Sequence, residues 1–463
     1  MKYFDLVKEK LSSLWPMWLL IMLVAFWSIY IQDGYINRDG LLYLKQAHLF
    51  GLSEWKQGLN IYSWPLFGIL ISIVHKITHI HSQWVAHGID LILFGIAAIF
   101  YLKIIRLIYK GDIIFYGGLA LLSFIPIMDD YLGMILRDHG LWAGCMAGTY
   151  YYLCCLKDNR FKFTILFQMC FLVAGLFRPE ALVFPVIIFI YSIFFQRRML
   201  LNQLYFFIFS IFVFVIIILL MPPEVLKVLS VRFDVIGNFF HQKTSSPIIT
   251  YNEYLTILLD QHSKLFLLAG LTSVLFLKWA EGYGLLHGFL FFHSTFQKKS
   301  KMTDEQHFIY LCLSLSFVIV WVNLLSVYVL TNRYWGFHWW WMMILIVPSM
   351  KYFMENKKLK VIKLTVIFLV FTGILNPLYD RKKNVDFEVA TYIKNNNLHE
   401  KIHYSKTDRI EYYINRNIED VLNKKVNFAN AEFILKPAID ITEWDEVVKS
   451  FPENKPKYFL VKK

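Results

Sequence analysis

The chain is short of charge. Only 17% of its 463 residues are Asp, Glu, Lys or Arg, against about a quarter in ordinary soluble domains, which excludes a conventional water-soluble fold for most of its length. Acids are scarcer than bases, 34 against 47, leaving a formal charge of +13. In a soluble protein that excess would suggest nucleic acid, but here the bases fall in short clusters between apolar runs, the pattern that orients membrane proteins. No nucleic-acid partner is expected. The five cysteines, Cys145, Cys154, Cys155, Cys170 and Cys312, lie in or beside apolar segments without metal-ligand spacing, so they read as buried thiols rather than a zinc site or a disulfide framework. No small-residue cleavage site follows the first apolar run, which therefore reads as a retained span. Internal repeats, low-complexity tracts, phosphate loops and Asp-x-Asp metal motifs are likewise missing.

What is present is apolar surface. Hydrophobic residues make up 57% of the chain and its mean hydropathy is +0.47. Trp15 to Ile31, Trp84 to Tyr101, Leu204 to Met221 and Leu364 to Leu375 approach or reach the length that crosses a hydrocarbon core. Placing the basic clusters inside puts the N-terminus, Lys103-Arg106-Lys110, Lys157-Arg160-Lys162, Arg197-Arg198, Lys298-Lys299-Lys301 and Lys357-Lys358-Lys360 in the cytoplasm. The outer segments are then 33 to 83, 129 to 139, the Arg178-Pro179-Glu180 corner, 223 to 262, the Thr331 to Tyr334 corner and everything after Pro377. Ile61 to His79 is short for a crossing and reads as a juxtamembrane or re-entrant helix. The apolar stretch 263 to 297 holds either one span plus an interfacial helix or two spans, and charge parity favours one.

The expected fold is an all-α polytopic membrane protein of about 11 transmembrane helices plus juxtamembrane helices, with a small C-terminal α/β extramembrane domain. Residues 1–378 form the membrane module, with a long first outer loop 33–83, and 379–463 form the outer domain. In the latter, Val385 to Asn395 and Glu443 to Phe451 read as helices, and Lys401 to Ser405, Val426 to Asn430 and Tyr458 to Val461 as strands.

Charges retained at the outer ends of apolar segments need a reason. Arg38-Asp39-Gly40 precedes an amphipathic stretch with Tyr43, Ala47 and Phe50 at spaced apolar positions. Asp39 reads either as the cap of that helix, with Arg38 anchored to lipid phosphate, or as a general base whose pKa is tuned at the membrane surface. Asp129-Asp130-Tyr131 and Arg137-Asp138-His139 repeat the grouping in the next outer segment. Two Arg-Asp pairs on one face would supply a carboxylate base and cations to a single site; otherwise they are separate interfacial ion pairs. Arg178 either pairs with Glu180 or binds a ligand, and Arg333, with no adjacent acid, suits a phosphate or a distant carboxylate. Trp335, Trp339, Trp340 and Trp341 suit an interfacial aromatic belt better than a sugar platform. His75, His79 and His81 fit a helix end better than a metal site.

The order of these features resembles the polytopic glycosyltransferases of the C superfamily, the group of protein O-mannosyltransferases, the lipid A aminoarabinose transferase and transferases of lipopolysaccharide cores. The matching elements are Arg38-Asp39-Gly40-Leu41-Leu42-Tyr43 in the first outer segment, Trp64-Pro65-Leu66, the Arg178 to Glu180 corner, Arg333-Tyr334 opening a late span, and a small outer domain. The likeness covers nearly the whole chain through short motifs. The chain departs from some relatives in having Arg38 beside Asp39, and Ser63-Trp64 before Pro65.

The resemblance implies transfer of one hexose or pentose from a polyprenyl-phosphate sugar to an envelope glycan, lipid or protein, with inversion, outside a bacterial inner membrane. Asp39 would be the base and Asp138 a second carboxylate that orients the acceptor or pairs with an arginine. Arg38, Arg137, Arg178, Arg333 and Tyr334 would serve the phosphate. No cofactor and no metal is expected, and membrane lipids are partners. The competing readings are a transporter or flippase of lipid-linked sugars and an oligosaccharide ligase or polymerase.

Overall fold

A computed structural model describes residues 11–31, 36–62, 64–109, 113–205, 208, 253–296, 302–327, 332–356, 360–380, 385–396, 402–404, 410, 412–413, 433–437, 447–451 and 458–462. The side chains of Asp129 and Asp130 and the expected strand Val426 to Asn430 lie outside the described set, as does nearly all of Leu204 to Met221.

The helices are α1 (Leu14–Ile31), α2 (Arg38–Gly51), α3 (Trp55–Ile61), α4 (Leu66–Thr78), α5 (Ser82–Ile108), α6 (Ile113–Leu132), α7 (Asp138–Lys157), α8 (Phe161–Phe177), α9 (Val183–Phe195), α10 (Glu253–Phe296), α11 (Asp304–Val327), α12 (Gly336–Glu355), α13 (Lys360–Asp380) and α14 (Val385–Asn395). Three described helices are long and apolar enough to cross a membrane: Leu14–Ile31, Ser82–Ile108 and Asp304–Leu325. Shorter apolar helices include Leu66–Thr78, Ile113–Met128, Phe161–Phe177 and Pro179–Phe195. The chain thus has the helical, apolar build of a membrane protein. At 13 residues, α4 extends about 20 Å, short of a hydrocarbon core of about 30 Å. The ambiguous stretch 263 to 297 falls almost wholly within α10, a continuous helix of 44 residues whose Gly284 has φ +65°, a conformation that glycine adopts without the Cβ penalty.

By contacts the chain forms two units: one of 1–26, 90–132 and 137–374, the other of 27–89, 133–136 and 375–463. In the first, α12 lies among α6, α7, α10 and α11. It is buried nearly all round, from Gly336 to Met354, as expected of a helix apolar on every face. Trp335, Trp339, Trp340 and Trp341 are at most 1% exposed. The interfacial belt expected of them is therefore corrected: they are core, and Trp341 donates its indole N–H to Thr149 at 3.1 Å.

Helix α7 packs closely on α8 through Gly140, Gly144 and Gly148, spaced four apart on one face. A Cβ on Gly144 would lie 2.6 Å from Ala174 Cβ and 2.7 Å from the Cys170 carbonyl oxygen. Small residues at this spacing let backbones approach where lipid gives no hydrophobic drive to association. A Cβ on Gly336 would similarly meet Trp142 at 2.5 Å, so the start of α12 also sits tightly on α7.

In the second unit α2 packs against α3 and α4. Gln46 donates to the carbonyls of Gly58 (3.2 Å) and Tyr62 (2.5 Å), while Tyr43 meets Tyr62 and Phe67 edge-on. Asn37 exchanges two hydrogen bonds with the Ile135 backbone, at 3.2 and 3.0 Å. The tail joins this unit through Tyr413, whose hydroxyl accepts from Ile36 N at 2.7 Å, and Tyr412, whose hydroxyl donates to Gln83 at 3.0 Å. Strands β1 (Ile402–Tyr404), β2 (Phe433–Pro437), β3 (Val447–Phe451) and β4 (Tyr458–Lys462) form a sheet of order β1-β2-β4-β3. β1 runs parallel to β2, and the other pairings are antiparallel.

The expected helix at Glu443 to Phe451 is corrected, because Val447–Phe451 is a strand. Val447, Val448 and Phe451 have helix-like spacing, but the register shifts between Val447 and Lys449; such a bulge lets a strand absorb an off-period residue while pairing with β4 decides the conformation.

Leucine at Gly144 is expected to lower stability by roughly 1–3 kcal/mol, whereas alanine at Gly288, inside α10 and where a Cβ meets nothing within 4 Å, should not destabilise and should raise stability by up to about 1 kcal/mol. Thermal unfolding of both variants in detergent checks this; equal melting temperatures would mean that α7 and α8 do not pack through Gly144.

Candidate functional site

The α7–α8 hairpin brings the start of α7 to the end of α8. The chain ends α8 where it does because Arg178 precedes proline, which disfavours helical backbone; Arg178 is extended, with φ −146° and ψ 123°. Pro179 then opens a 3₁₀ turn, Pro179–Leu182, where its missing N–H costs nothing. Asp138, the first residue of α7, and Arg178 are 3% and 6% exposed.

Three arginines and two carboxylates meet at this corner. Arg178 Nη1 donates to Asp138 Oδ1, and Arg178 Nη2 donates to Glu180 Oε1 at 3.2 Å. Arg137 Nη1 donates to the Phe177 carbonyl at 3.1 Å. The guanidinium of Arg178 lies 5.1 Å from the centroid of the Tyr334 ring and that of Arg333 5.6 Å from it, within cation–π range. Asn332–Trp335 forms the 3₁₀ turn that delivers both residues.

Burial pushes the Asp138 carboxyl upward, but Arg178, then Arg333 and Arg137, outweigh it and hold the group below the ordinary carboxylate range. Burial likewise opposes ionisation of Glu180, and Arg178 followed by Arg137 lowers it. Both acids are therefore charged, and among the described residues at this corner three arginines face two carboxylates.

Arg178, Glu180, Asn323 and Tyr334 line a pocket here, with Leu141, Ile319, Val320 and Phe337 as its apolar wall. Arg178 Nε and Glu180 Oε2 are buried without hydrogen-bond partners among the described residues.

The structure thus brings Arg137, Asp138, Arg178, Arg333 and Tyr334 together. Of the two readings of Arg178, the pair with Glu180 is present, and Asp138 is a second acid on the same guanidinium. Arg38 and Asp39 belong to the other unit. Arg38 is exposed and Asp39 half-buried. The capping role considered for Asp39 is corrected: Asn37 occupies the N-cap position and makes no side-chain cap bond, its side chain being taken by Ile135. Asp39 lies in the first turn of α2, where a negative charge meets the positive end of the helix dipole.

Sequence reasoning passed over Asp90. It is the single acid within α5, 1% exposed, and its Oδ1 lies 3.2 Å from Nδ1 of the equally buried His139. A lone carboxylate inside an apolar helix was the available signal. The glycine spacing of α7 was a second.

His75 Nδ1 lies 2.6 Å from the carbonyl of Ile80 at the end of α4, and among the described residues no group of three or more His, Cys, Asp or Glu could hold a metal ion. The cysteines are free; Cys145, Cys155 and Cys312 are buried, and Cys154 and Cys170 partly so.

Compared with known families and with characterised proteins, the chain matches no family model and no characterised protein.

Replacing Arg178 with leucine strands the buried carboxylate of Asp138 and the half-buried one of Glu180 and is expected to cost roughly 3–5 kcal/mol at pH 7. Because Asp138 and Glu180 are depressed on folding, their contribution is complete above pH about 4 and is lost as pH falls through the lowered folded values. In the variant the same acids lose their nearest cation, keep only the more distant Arg137 and Arg333 and protonate more readily, so the stability gap from wild type should narrow on acidification. Thermal unfolding between pH 7 and pH 4 measures it, and a constant gap would count against the charged pair.

Proposed function

We propose that the protein is a membrane glycosyltransferase that moves one hexose or pentose from a polyprenyl-phosphate carrier to an envelope glycan, lipid or protein acceptor at the outer face of a bacterial inner membrane. The observation that carries this reading is the corner of Arg137, Arg178 and Arg333 against Asp138 and Glu180, with one positive charge in excess among the described residues beside an apolar wall. A lipid-linked phosphodiester carries one negative charge and an apolar tail, and both find complements there.

In this reading Arg333, half-buried and held over Tyr334, is the principal phosphate cation, assisted by Arg137. Asp138 positions Arg178. The resemblance alone assigns Asp39, which belongs to the other unit, as the base: it would take the proton of the acceptor hydroxyl as that oxygen attacks the anomeric carbon and the bond from that carbon to the phosphate oxygen breaks. The phosphodiester becomes a monoester, gaining negative charge that the arginines stabilise. Attack opposite the leaving phosphate inverts the anomeric centre, and Arg38 lies beside the base. No step is assigned to a metal or cofactor. The full reading includes about 11 spans, a cytoplasmic N-terminus, an outer C-terminus and an outer α/β domain; the resemblance in motif order supports it.

Cells lacking the gene should accumulate a polyprenyl-phosphate sugar and lose one sugar from an envelope product. The wild-type gene should restore both, and Asp39→Asn at equal membrane abundance should restore neither; restored glycosylation would remove Asp39 as the base.

Charge-assisted hydrogen bonds contribute about 1.5–3 kcal/mol, so Arg333→Ala should weaken undecaprenyl phosphate binding roughly 10- to 100-fold, measured by native mass spectrometry. Unchanged affinity would remove its phosphate role.

A further inference from the structure

At the end of α7 opposite Asp138, three rings bridge α5 and α7. The Phe100 ring of α5 lies 5.4 Å from that of Tyr150 and 5.5 Å from that of Tyr151, centroid to centroid, and the two tyrosine rings are 5.3 Å apart. Half-buried Lys103 stands beside them, its Nζ 4.8 Å from the Phe100 centroid and 5.6 Å from that of Tyr150, within cation–π range. Two more cations converge there. Lys157, the last residue of α7, donates to the Leu107 carbonyl near the end of α5 at 2.8 Å, and the charges of Lys157 and Lys103 both act on the Cys154 thiol. Exposed Arg106 acts on the Tyr150 hydroxyl. Glu305 partly offsets Lys157 at 3.9 Å, but among the described residues neither Lys103 nor Arg106 has a carboxylate within ion-pair distance.

Basic residues at one end of a span set its orientation, but that role alone needs no convergence of cations on aromatic rings. These cations also terminate an apolar track. Ile92, Ile96, Phe100 and Lys103 recur on α5 at spacings of four, four and three, which puts them on one helix face, and Ile92 is 63% exposed and Ile96 37%. From Ile92 to Lys103 the helix rises about 16 Å, the depth of one leaflet of a hydrocarbon core about 30 Å thick. We propose that this surface binds one anionic phospholipid, its phosphate held by Lys103 and Arg106 with Lys157 assisting, and an acyl chain laid along Ile96 and Ile92. A choline lipid brings its own ammonium, which the cations repel, and an acidic protein segment has nothing to lay along an apolar track inside the hydrocarbon. Tyrosines at the headgroup level suit the same boundary, since their rings are apolar and their hydroxyls wet.

The site lies about 28 Å along the axis of α7 from Asp138, so it is separate from the charge corner and stands whether or not the chain transfers sugars. Native mass spectrometry of the full-length protein in detergent, with phosphatidylglycerol and phosphatidylcholine of the same acyl chains as probes, tests it. Wild type should bind phosphatidylglycerol roughly tenfold or more tightly than phosphatidylcholine, and Lys103→Gln with Arg106→Gln should weaken phosphatidylglycerol binding roughly 30-fold, the loss of two interfacial cations. Lys103→Arg with Arg106→Lys should preserve it. Arg160→Gln with Lys162→Gln removes equal charge from exposed positions elsewhere and should leave it unchanged, with thermal unfolding confirming that each variant is folded. A phosphatidylglycerol bearing a headgroup diazirine should crosslink wild type within 100–106 or 150–157.

The inference is overturned if the two phospholipids bind equally, if the neutral variant at 103 and 106 binds phosphatidylglycerol as wild type does, if the variant at 160 and 162 loses as much, or if the crosslink maps elsewhere. It is also overturned if undecaprenyl phosphate displaces phosphatidylglycerol at equal concentration, since the surface would then belong to a prenyl carrier. Should the neutral variant not fold, the crosslink map on wild type decides alone.

Discussion

Putting a guanidinium out of reach of water is costly unless its charge and its N–H groups are met, and the corner at Arg178 is organised around that requirement. Asp138 and Glu180 each take one terminal nitrogen, and the Tyr334 ring covers the group within 5.1 Å. The acids are in turn kept charged by Arg137 and Arg333 as well as by Arg178. Each ionised group is tolerated because the others are present, so the corner behaves as a network, and removing one member leaves a buried charge rather than a gap.

The network depends on how closely three helices approach. Glycines at four-residue spacing on α7 admit the backbone of α8, which carries Asp138 to the extended residue at the end of α8. Gly336 lets Trp142 lie against the start of α12, and the turn that precedes α12 supplies Arg333 and Tyr334. Burial of the tryptophans of α12 around this contact gives the site a stiff apolar backing, suited to holding charges in fixed positions. In the other unit, hydrogen bonds from Tyr412 and Tyr413 join the tail to residues 36 and 83, and Asn37 ties the start of α2 to Ile135. These are polar contacts between segments far apart in sequence.

Several elements were legible in advance because they depend on local chemistry. Apolar runs without charge mark long helices whatever packs around them, α14 has the bounds that its periodicity implies, and Arg178-Pro179 ends a helix by sterics alone. The misreadings share a different cause. The tryptophans of α12 look amphipathic at a membrane surface and are core, because neighbouring helices cover every face. Val447–Phe451 has helical spacing and is a strand, because β4 offers a partner and a bulge absorbs the mismatch.

What the sequence determined by itself was the class of the protein: apolar helices, basic clusters between them, and a set of charges too costly to keep without use. It also marked Asp138, Arg178 and Arg333 one by one, since each stands at the end of an apolar segment. Only the tertiary structure decided that Arg178 is shared by two carboxylates, that Arg333 and Arg137 act on the same acid, and that Asp90 meets His139. Ion pairing is set by separation in space, and close approach depends on which side chains are small enough to let two backbones meet.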